Sequence, residues 1–482
     1  MSRPFTVIVA GRDAPLWLAA AALARGLAPS GVQVEAVELP SALASVDAHA
    51  TFPALEALHN QLRIDETMLL RATGGNLTLG RNFTDLAGAW PAFLHAYGSA
   101  GTQIGGRDFF AHWVKARAHG LGVPLDDFSL TAAAARQGRL MLPDAENAIY
   151  GRCDYGYHLP AIPYARLLRA AAIGHGATAH AAEQLTVERA GDAIVALDLG
   201  AGRRLAADLF VDAGGVLGGA HLSWRAHFPV DRVLTAAGPP FANIPVYAED
   251  RAGPTGWTAL HPGRPATFVV HAWSSAHATD EEALRAAGAA AGLPLAGVRI
   301  AAVEPGRPAR PWTGNCVTLG AVFDPVHGLD LLGLQVGLVQ LLADFPATAH
   351  FAAERDEYNR AAGAALDRLR DFQSAHYALA RYAGPFWDAA RAGTVSPDLA
   401  HAVALFRARA ELAPFEEENL PPDSWRALFL GHGVEPESWP PAIDRVPPEE
   451  AKAQFRRMLG FVREQVLRQP TQEAYLAGLA DG

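Results

Sequence analysis

The chain has 482 residues, 50% of them hydrophobic and 19% charged, which is enough apolar surface for a large folded core and excludes an intrinsically disordered chain. Its formal net charge of −10 excludes nucleic-acid binding, because few cations are available to neutralise phosphates. Two distant cysteines, an N-terminus without a signal-peptide pattern and no apolar run of about 18 residues lead us to expect a cytoplasmic protein without membrane contact.

Residues 5–38 predict a βαβ unit. Phe5–Ala10 and Val32–Glu38 are short runs rich in β-branched residues, and Trp17–Leu27 between them is an alanine-rich helix. Such a unit has parallel strands joined by a right-handed crossover.

The rest of the chain alternates between helical and β-like patterns. Leu55–Arg71 and Phe93–Leu121 are predicted to be helical, and residues 335–482 are mostly helical. The other predicted elements are a helix at Tyr164–Ile173, a hairpin of Leu185–Arg189 and Ala193–Leu199, strands at Asp208–Asp212 and Cys316–Leu319, and a β-rich stretch over residues 230–274.

The turn after the first strand partly matches a dinucleotide-binding motif. Such motifs use a GxGxxG turn, a helix N-terminus for the pyrophosphate, and an acid that closes the second strand. Glu38 supplies the acid, but only Gly11 of the glycines is present, because Asp13 and Leu16 replace the others. A carboxylate repels phosphate, and a branched side chain hinders close packing of the helix on the strand. The residues leave two interpretations open, a weakened dinucleotide site and a βαβ unit kept for folding alone.

Several stretches occur in the order found in one enzyme family. They are LHNQLRIDETMLLRATGGNLTLGRNFTD (Leu58–Asp85), YGYHLPAIPYARLLR (Tyr155–Arg169), DLFVDAGG (Asp208–Gly215) and SWRALFLGHGVEPE (Ser424–Glu437). Together they resemble the flavin-dependent tryptophan halogenases over nearly the whole chain.

The resemblance implies an α/β fold like that of flavin monooxygenases and halogenases, with a Rossmann-type βαβ core. It divides the chain into a flavin-domain-like core (residues 1–225 plus 300–350), a β-rich substrate region (226–299) and a helical C-terminal cover (351–482) packed on the same body. It also implies FAD as the cofactor, here with weakened binding. The positions implied to contact FAD are Gly11, Ala14, Glu38, His49, Asp212 and Gly320.

The resemblance also locates the catalytic positions, and most of them have changed. A lysine that handles the hypohalous species in the family aligns with Thr78, which has no ammonium group. A catalytic glutamate aligns with His327, near Asp324. In the family's WxWxIP signature Trp257 is kept, while His261 replaces the isoleucine. Trp257, His261, Asp324 and His327 are the implied substrate-cavity residues, and no catalytic residue is expected to be intact.

For the histidines and tryptophans of these regions, a functional role and a purely structural role are both open. His49, His261 and His327 suggest a metal site by residue type, but they lie in separate loops, and we predict no metal. Four tryptophans either line a substrate cavity or pack in the core: Trp224, Trp257, Trp273 and Trp312.

Two functions therefore remain. The first is a halogenase-like pseudoenzyme that acts as a non-catalytic partner or binding subunit of an active flavin-dependent halogenase. It would form a homodimer or a heterodimer and bind an aromatic small molecule or a peptide. The second is an FAD-dependent oxidoreductase or monooxygenase of this family, with altered chemistry on an indole-like or other aromatic substrate.

Overall fold

The computed structural model describes residues 4–145, 148, 151–346 and 350–481. The strands are β1 (Thr6–Gly11), β2 (Gln33–Glu38), β3 (Ala48–Ala50), β4 (Asn76–Thr78), β5 (Gly80–Asp85), β6 (Phe93–Ala96), β7 (Gly156–Pro160), β8 (Thr178–Ala181), β9 (Thr186–Ala190), β10 (Ala193–Asp198), β11 (Arg204–Leu205), β12 (Leu209–Ala213), β13 (His221–Ser223), β14 (Arg232–Gly238), β15 (Ala248–Gly253), β16 (Gly256–Pro262), β17 (Thr267–Trp273), β18 (Ala296–Ala302), β19 (Gly306–Pro308), β20 (Trp312–Thr313) and β21 (Cys316–Thr318). The α-helices are α1 (Asp13–Leu27), α2 (Ala54–Gln61), α3 (Glu66–Thr73), α4 (Phe109–Ala118), α5 (Leu130–Arg136), α6 (Ala161–Gly174), α7 (Asp280–Ala291), α8 (Asp330–Ala343), α9 (Ala352–Ala378), α10 (Pro385–Arg391), α11 (Pro397–Arg409), α12 (Pro422–Gly431), α13 (Pro448–Arg468) and α14 (Gln472–Asp481).

Residue contacts divide the chain into two compact units. Unit 1 comprises Met1–Gly75, Leu159–Arg225 and Val303–Arg370, and unit 2 comprises Asn76–His158, Ala226–Ala302 and Asp371–Gly482. The three-part functional division expected from the sequence stays a prediction.

Unit 1 is built on a six-stranded sheet with the order β20-β21-β12-β1-β2-β8. β1 pairs in parallel with β2 and β12, and the register places Gly11 opposite both Glu38 and Ala213. α1 packs on β1, β2, α6 and α8. Because parallel strands end at the same edge of a sheet, Gly11, Glu38 and Ala213 lie in one row at the start of α1.

Unit 2 is built on a seven-stranded sheet with the order β18-β14-β17-β16-β15-β5-β6. α7 packs on β15, β16 and β17, and α12 packs on β6. α7 begins with a capping box, in which Thr279 and Glu282 satisfy each other's backbone N–H groups. β16 and β17 are buried along their whole lengths, so the centre of this sheet is part of the core.

Several predicted elements are confirmed. The βαβ unit is present with parallel pairing, although α1 begins at Asp13, four residues before the predicted start. The hairpin is present as β9 and β10, which pair antiparallel with a bulge between Ile194 and Ala196. Each of these predictions depended on a local pattern of a few residues.

Two helical predictions were wrong in part. The predicted helix Phe93–Leu121 contains a strand, β6, which pairs with β5, and its helix begins only after Asp108 caps α4 by accepting a hydrogen bond from the Phe110 N–H. The predicted helix Leu55–Arg71 is two helices, α2 and α3, because Arg63 between them adopts a left-handed backbone with φ +54°.

β18 is an edge strand with an unusual exposure. All seven of its residues are exposed, and Val298 and Ile300, on one face, are 38% and 36% exposed. Arg299 is the only charged residue of the strand. Edges of this kind are sites at which other strands can pair.

Within the part of the chain that the structure describes, no helix combines the length and the apolar composition needed to cross a membrane.

Candidate functional site

The turn between β1 and α1 depends on Gly11. A Cβ atom at Gly11 would lie 2.4 Å from the carbonyl oxygen of Ala213, so only glycine allows β1 and β12 to approach this closely. Gly11 is therefore required by the sheet itself, whether or not a ligand binds at the turn.

Asp13 occupies the second glycine position and keeps a backbone conformation that favours glycine. Its φ is +56°, in the left-handed region, which costs a non-glycine residue roughly 1–2 kcal/mol. Its carboxylate oxygen Oδ2 accepts a hydrogen bond from the backbone N–H of Ala42 at 3.1 Å. The carboxylate thus links the first residue of α1 to the loop that follows β2.

The first turn of α1 lacks one backbone donor, because Pro15 has no N–H. No side chain caps the helix at Arg12, so the other N–H groups of this turn are not occupied by a cap. Ala14 and Leu16 are fully buried. The interpretation of Leu16 as an obstacle to close packing is incomplete, because the structure makes its side chain part of the unit 1 core.

Glu38 ends β2 as the motif requires, and two side chains hold its carboxylate. Trp17 Nε1 donates to Oε1 at 3.2 Å, and Arg169 Nε donates to Oε2 at 3.2 Å. The Arg169 guanidinium also lies 5.2 Å from the centroid of the Trp17 ring. Sequence reasoning missed Trp17 and Arg169, because their contacts with Glu38 depend on the packing of α1 and α6.

Asp212 and Gly320 both make contacts that hold backbone segments of unit 1 in place. The two Asp212 carboxylate oxygens accept hydrogen bonds from the backbone N–H groups of Val216 and Leu217, at 2.8 and 2.9 Å. Burial raises the pKa of Asp212 to about 6, against the effect of these donors. Gly320 has φ +75°, and a Cβ there would lie 3.3 Å from the Leu334 backbone.

The structure brings the His49 strand and the His327 turn together. A Cβ at Gly328 would lie 2.5 Å from the carbonyl oxygen of Ala50, next to His49 in β3. Asp324 caps the short 3₁₀ helix Pro325–His327 by accepting from the Val326 N–H, and its Oδ2 lies 3.7 Å from His327 Nδ1.

His49 itself is a half-buried, neutral side chain. Its ring lies edge-on to Tyr164, with 5.8 Å between the ring centroids. Burial lowers the pKa of His49 to about 4, against the opposing charges of Asp47 and Asp13. Among the described residues its Nε2 has no hydrogen-bond partner.

The residues present fit only one end of a dinucleotide. Glu38 is fixed at the position of a ribose-binding acid, but the Asp13 carboxylate lies at the helix end that would face the pyrophosphate, and Pro15 removes one donor there. The first turn therefore does not fit an FAD pyrophosphate in the way the motif requires.

In unit 2, Thr78 ends β4 and is buried, with 1% of its surface exposed. Its hydroxyl donates to the carbonyl of Gly80 at 3.1 Å. β4 pairs antiparallel with β7, which places Asn76 opposite His158. The position expected for a lysine in the family is thus filled by a short side chain that is bonded to the first residue of β5.

A buried ion pair lies three residues after Thr78. Arg81 Nε donates to Asp250 Oδ2 at 2.7 Å, and Arg81 Nη2 donates to Asp250 Oδ1 at 2.6 Å. The two side chains are 2% and 0% exposed. Burial raises the pKa of Asp250, and the Arg81 charge opposes that rise. This pair was not predicted from the sequence.

Trp257 is packed among other aromatic rings and does not line an open substrate cavity. It is fully buried and meets Phe83, Tyr382 and Trp387 edge-on, with centroid separations of 5.6, 5.2 and 5.4 Å. The other three tryptophans considered as cavity lining are fully buried as well: Trp224, Trp273 and Trp312. His261, on the same strand as Trp257, lies 5.4 Å from His158 between ring centroids.

Unit 2 also contains a cavity of about 490 Å³ that sequence reasoning missed. Its lining combines apolar and charged side chains, with Phe93 and Trp113 as the aromatic members and Asp423 among the charged ones. Neither Trp257 nor His261 lines it. Its walls come from β6, α4 and α12, so no local motif could have indicated it.

No group of three or more His, Cys, Asp or Glu side chains within residues 4–145, 148, 151–346 and 350–481 is arranged to hold a metal ion.

Comparison with known proteins identifies the family. The model of the tryptophan halogenase family matches residues 6–448. The chain is 26% identical to tryptophan 7-halogenase KtzQ of Kutzneria sp. (strain 744), over 99% of this chain and 98% of that protein. Among solved structures, it is similar to BrvH, a flavin-dependent halogenase from Brevundimonas sp. BAL3, with 29% identity, 99% of both chains covered and a TM-score of 0.88. It is also similar to Xcc4156, a flavin-dependent halogenase from Xanthomonas campestris, with 27% identity, 99% of both chains covered and a TM-score of 0.89. The chain has the α/β fold of the flavin-dependent halogenases and belongs to the tryptophan halogenase family.

Proposed function

We propose that this chain is a family member that does not halogenate and that acts as a binding subunit or partner of an active flavin-dependent halogenase. The single observation that carries the proposal is Thr78, which is buried, lacks an amine and donates its hydroxyl to Gly80. Without an amine at this position, no haloamine can form there.

The other polar positions support the same conclusion. His327 stands where the resemblance implies a catalytic glutamate, and Asp324, 3.7 Å from it, already caps the turn Pro325–His327. The Asp13 carboxylate disfavours phosphate at the first turn of α1. A chain that keeps the family fold but has changed these groups is better suited to bind a ligand or a partner than to oxidise halide.

The halogenation test supplies the cofactor in excess, so that weak FAD binding is not limiting. The purified chain is incubated with FAD, NADH, a flavin reductase, oxygen, bromide or chloride, and either tryptophan or indole. We expect mass spectrometry to detect no halogenated product, because Thr78 cannot replace an ammonium group.

Tryptophan 7-halogenase KtzQ, assayed in parallel with tryptophan, is the positive control. The variant Thr78→Lys, with unchanged thermal stability, tests whether the missing amine alone blocks the reaction. Halogenated product from the unmodified chain would show that the proposal is wrong.

The partner role needs a separate measurement. A family member from the same organism that retains the lysine is mixed with this chain, and the mixture is analysed by size-exclusion chromatography with light scattering. A stable complex supports the partner role, and two separate species at micromolar concentrations contradict it.

A second candidate function is an FAD-dependent oxidoreductase or monooxygenase acting on an indole-like aromatic substrate. The fixed position of the Glu38 carboxylate, held by Trp17 and Arg169, favours it, because that acid would bind an FAD ribose. Flavin absorbance in the purified protein, followed by substrate-dependent oxygen uptake without halide, would favour this candidate.

A further inference from the structure

A groove of about 630 Å³ lies between α3 and α6 in unit 1. The buried side chains of Leu62 and Ile64 line it, together with Met68, which is 49% exposed. α6 contributes residues from Pro163 to Gly174 at the three- and four-residue spacing of one helix face, so the groove follows that helix for about 17 Å. None of the positions implied to contact FAD lines it, so it is separate from the dinucleotide-like turn.

The charged side chains that line this groove are basic. Arg63 and Arg166 line it, and none of the described residues in its lining is Asp or Glu. Both arginine side chains are exposed, and neither has an ion-pair or hydrogen-bond partner within the part of the chain that the structure describes. The whole chain has 50 acidic and 40 basic residues. The groove is therefore locally positive on a negative molecule, which favours an occupant with acidic groups.

The two arginines lie at different ends of the groove. His175 follows the last turn of α6, and its Nε2 lies 2.9 Å from the carbonyl oxygen of Leu62, so Arg63 is beside the C-terminal end of that helix. Arg166 is nine residues earlier on α6, about 13 Å along the helix axis. Two cations at this separation suit two acidic groups better than one. Acidic residues about two turns apart on an α-helix have nearly this spacing, since two turns span about 11 Å.

We propose that this groove binds an amphipathic α-helix of a partner protein. The apolar face of that helix would pack on Leu62, Ile64 and Met68, and acidic residues about two turns apart would lie beside Arg63 and Arg166. Helices commonly bind to apolar grooves in this way, and flexible methionine side chains are frequent on such surfaces. The inference rests on the proposed binding function and deepens it, because it names the surface and the kind of partner.

The test is a fluorescence-anisotropy titration of the full chain with labelled peptides of about 15 residues, long enough to form a helix. The acidic peptide carries leucines along one face and two glutamates beside that face, two turns apart. The neutral peptide has glutamine at those two positions. We expect the acidic peptide to bind about tenfold more tightly at low salt, because it adds two exposed ion pairs. In about 1 M salt, which screens exposed charges, the difference should fall below about twofold.

Substitution of the arginines tests the electrostatic part of the proposal. Arg63→Gln and Arg166→Gln should each weaken binding of the acidic peptide about threefold and leave binding of the neutral peptide unchanged. Arg71→Gln is the matched control, because Arg71 is an exposed arginine of α3 that does not line the groove. Both peptides should bind this variant as they bind the unmodified chain.

A second measurement locates the peptide without any substitution. The chain has four methionines. Met68 lines the groove, whereas Met141 and Met458 do not and are 0% and 1% exposed. In protein labelled with ¹³C at the methionine methyl groups, the Met68 signal should shift when the acidic peptide is added, and the Met141 and Met458 signals should stay in place.

Four outcomes would overturn the inference. They are equal affinities for the acidic and neutral peptides at low salt, no binding of either at millimolar concentration, binding without a shift of the Met68 signal, and a Met68 signal that shifts with protein concentration alone, which would place a second copy of the chain in the groove. A stable complex with a family member, formed by a chain that binds neither peptide, would overturn only this inference and leave the proposed function standing. Halogenated product from a chain that prefers the acidic peptide would do the reverse.

Discussion

At the scale of single residues, Asp13 illustrates how one side chain can change a ligand site without changing the fold. It keeps the left-handed backbone that a glycine-rich turn needs, and it adds a carboxylate at the start of α1. The turn therefore keeps the shape of a phosphate-binding turn, but it carries a negative charge that would repel a phosphate.

The variant Asp13→Gly should bind FAD more tightly and unfold at a higher temperature. Removing a nearby like charge at a half-exposed site is worth about 1 kcal/mol, which corresponds to roughly fivefold in affinity. Relief of the left-handed conformation should stabilise the fold by about 1 kcal/mol. Fluorescence titration of FAD and thermal unfolding measure the two effects.

Asp13→Asn separates these effects, because asparagine tolerates the left-handed region and can still accept from Ala42. It should improve FAD binding with little change in stability. If neither variant improves binding, the carboxylate is not the obstacle. Combining Asp13→Gly with Leu16→Gly is unsuitable, because removing the fully buried Leu16 side chain should lower the free energy of unfolding by about 3–5 kcal/mol.

At the scale of elements, the Arg81–Asp250 pair connects the neighbouring strands β5 and β15 inside the unit 2 core. Arg81→Met should lower the free energy of unfolding by about 3–5 kcal/mol, because it leaves the Asp250 carboxylate buried and unpaired. Urea unfolding measures the loss.

The double variant Arg81→Met with Asp250→Leu is the matched control. It removes both charges and should recover most of the lost stability, since well-packed apolar residues can replace a buried ion pair. A double variant as unstable as the sum of the two single variants would contradict this account.

Elements with a local signal could be predicted from the sequence. β1, α1 and β2 follow from apolar runs and an alanine-rich segment, and Glu38 was identified because the motif fixes its position at the end of β2. β6 could not be predicted, because it is a strand only through pairing with β5 and packing against α12. The contacts of Glu38 with Trp17 and Arg169 depend on helix packing, which no spacing in the sequence reveals.

The candidate site residues stay predictions made from their positions in family motifs, as for Thr78 and His261. The facing positions of Asn76 and His158 were not predicted. Their relation appears only in the register of β4 and β7, which are separated by some eighty residues of chain.

At the scale of the whole molecule, buried neutral histidines make stability depend on pH. Burial is the main cause that lowers the pKa of each, from 6.5 to about 3 or 4, in His59, His95, His158, His271 and His432. Below pH 6.5 the unfolded chain takes up protons that the folded chain refuses, so stability is complete above this pH and falls as the pH drops towards 4.

Each such histidine should reduce the free energy of unfolding by roughly 1.4 kcal/mol per pH unit in that window. The urea midpoint should therefore be clearly lower at pH 5.5 than at pH 7.5. His432→Gln should weaken this dependence. Identical midpoints at the two pH values would refute the explanation.

The exposed strand β18 has a practical consequence for handling the protein. Two copies that join along this edge in antiparallel fashion, centred on Arg299, would bring two guanidinium groups close together, and repulsion between them would oppose the pairing. Salt screens such repulsion. At one protein concentration, high salt should therefore favour edge-to-edge association of the sheets more than low salt does, the reverse of the behaviour of proteins held together by surface ion pairs.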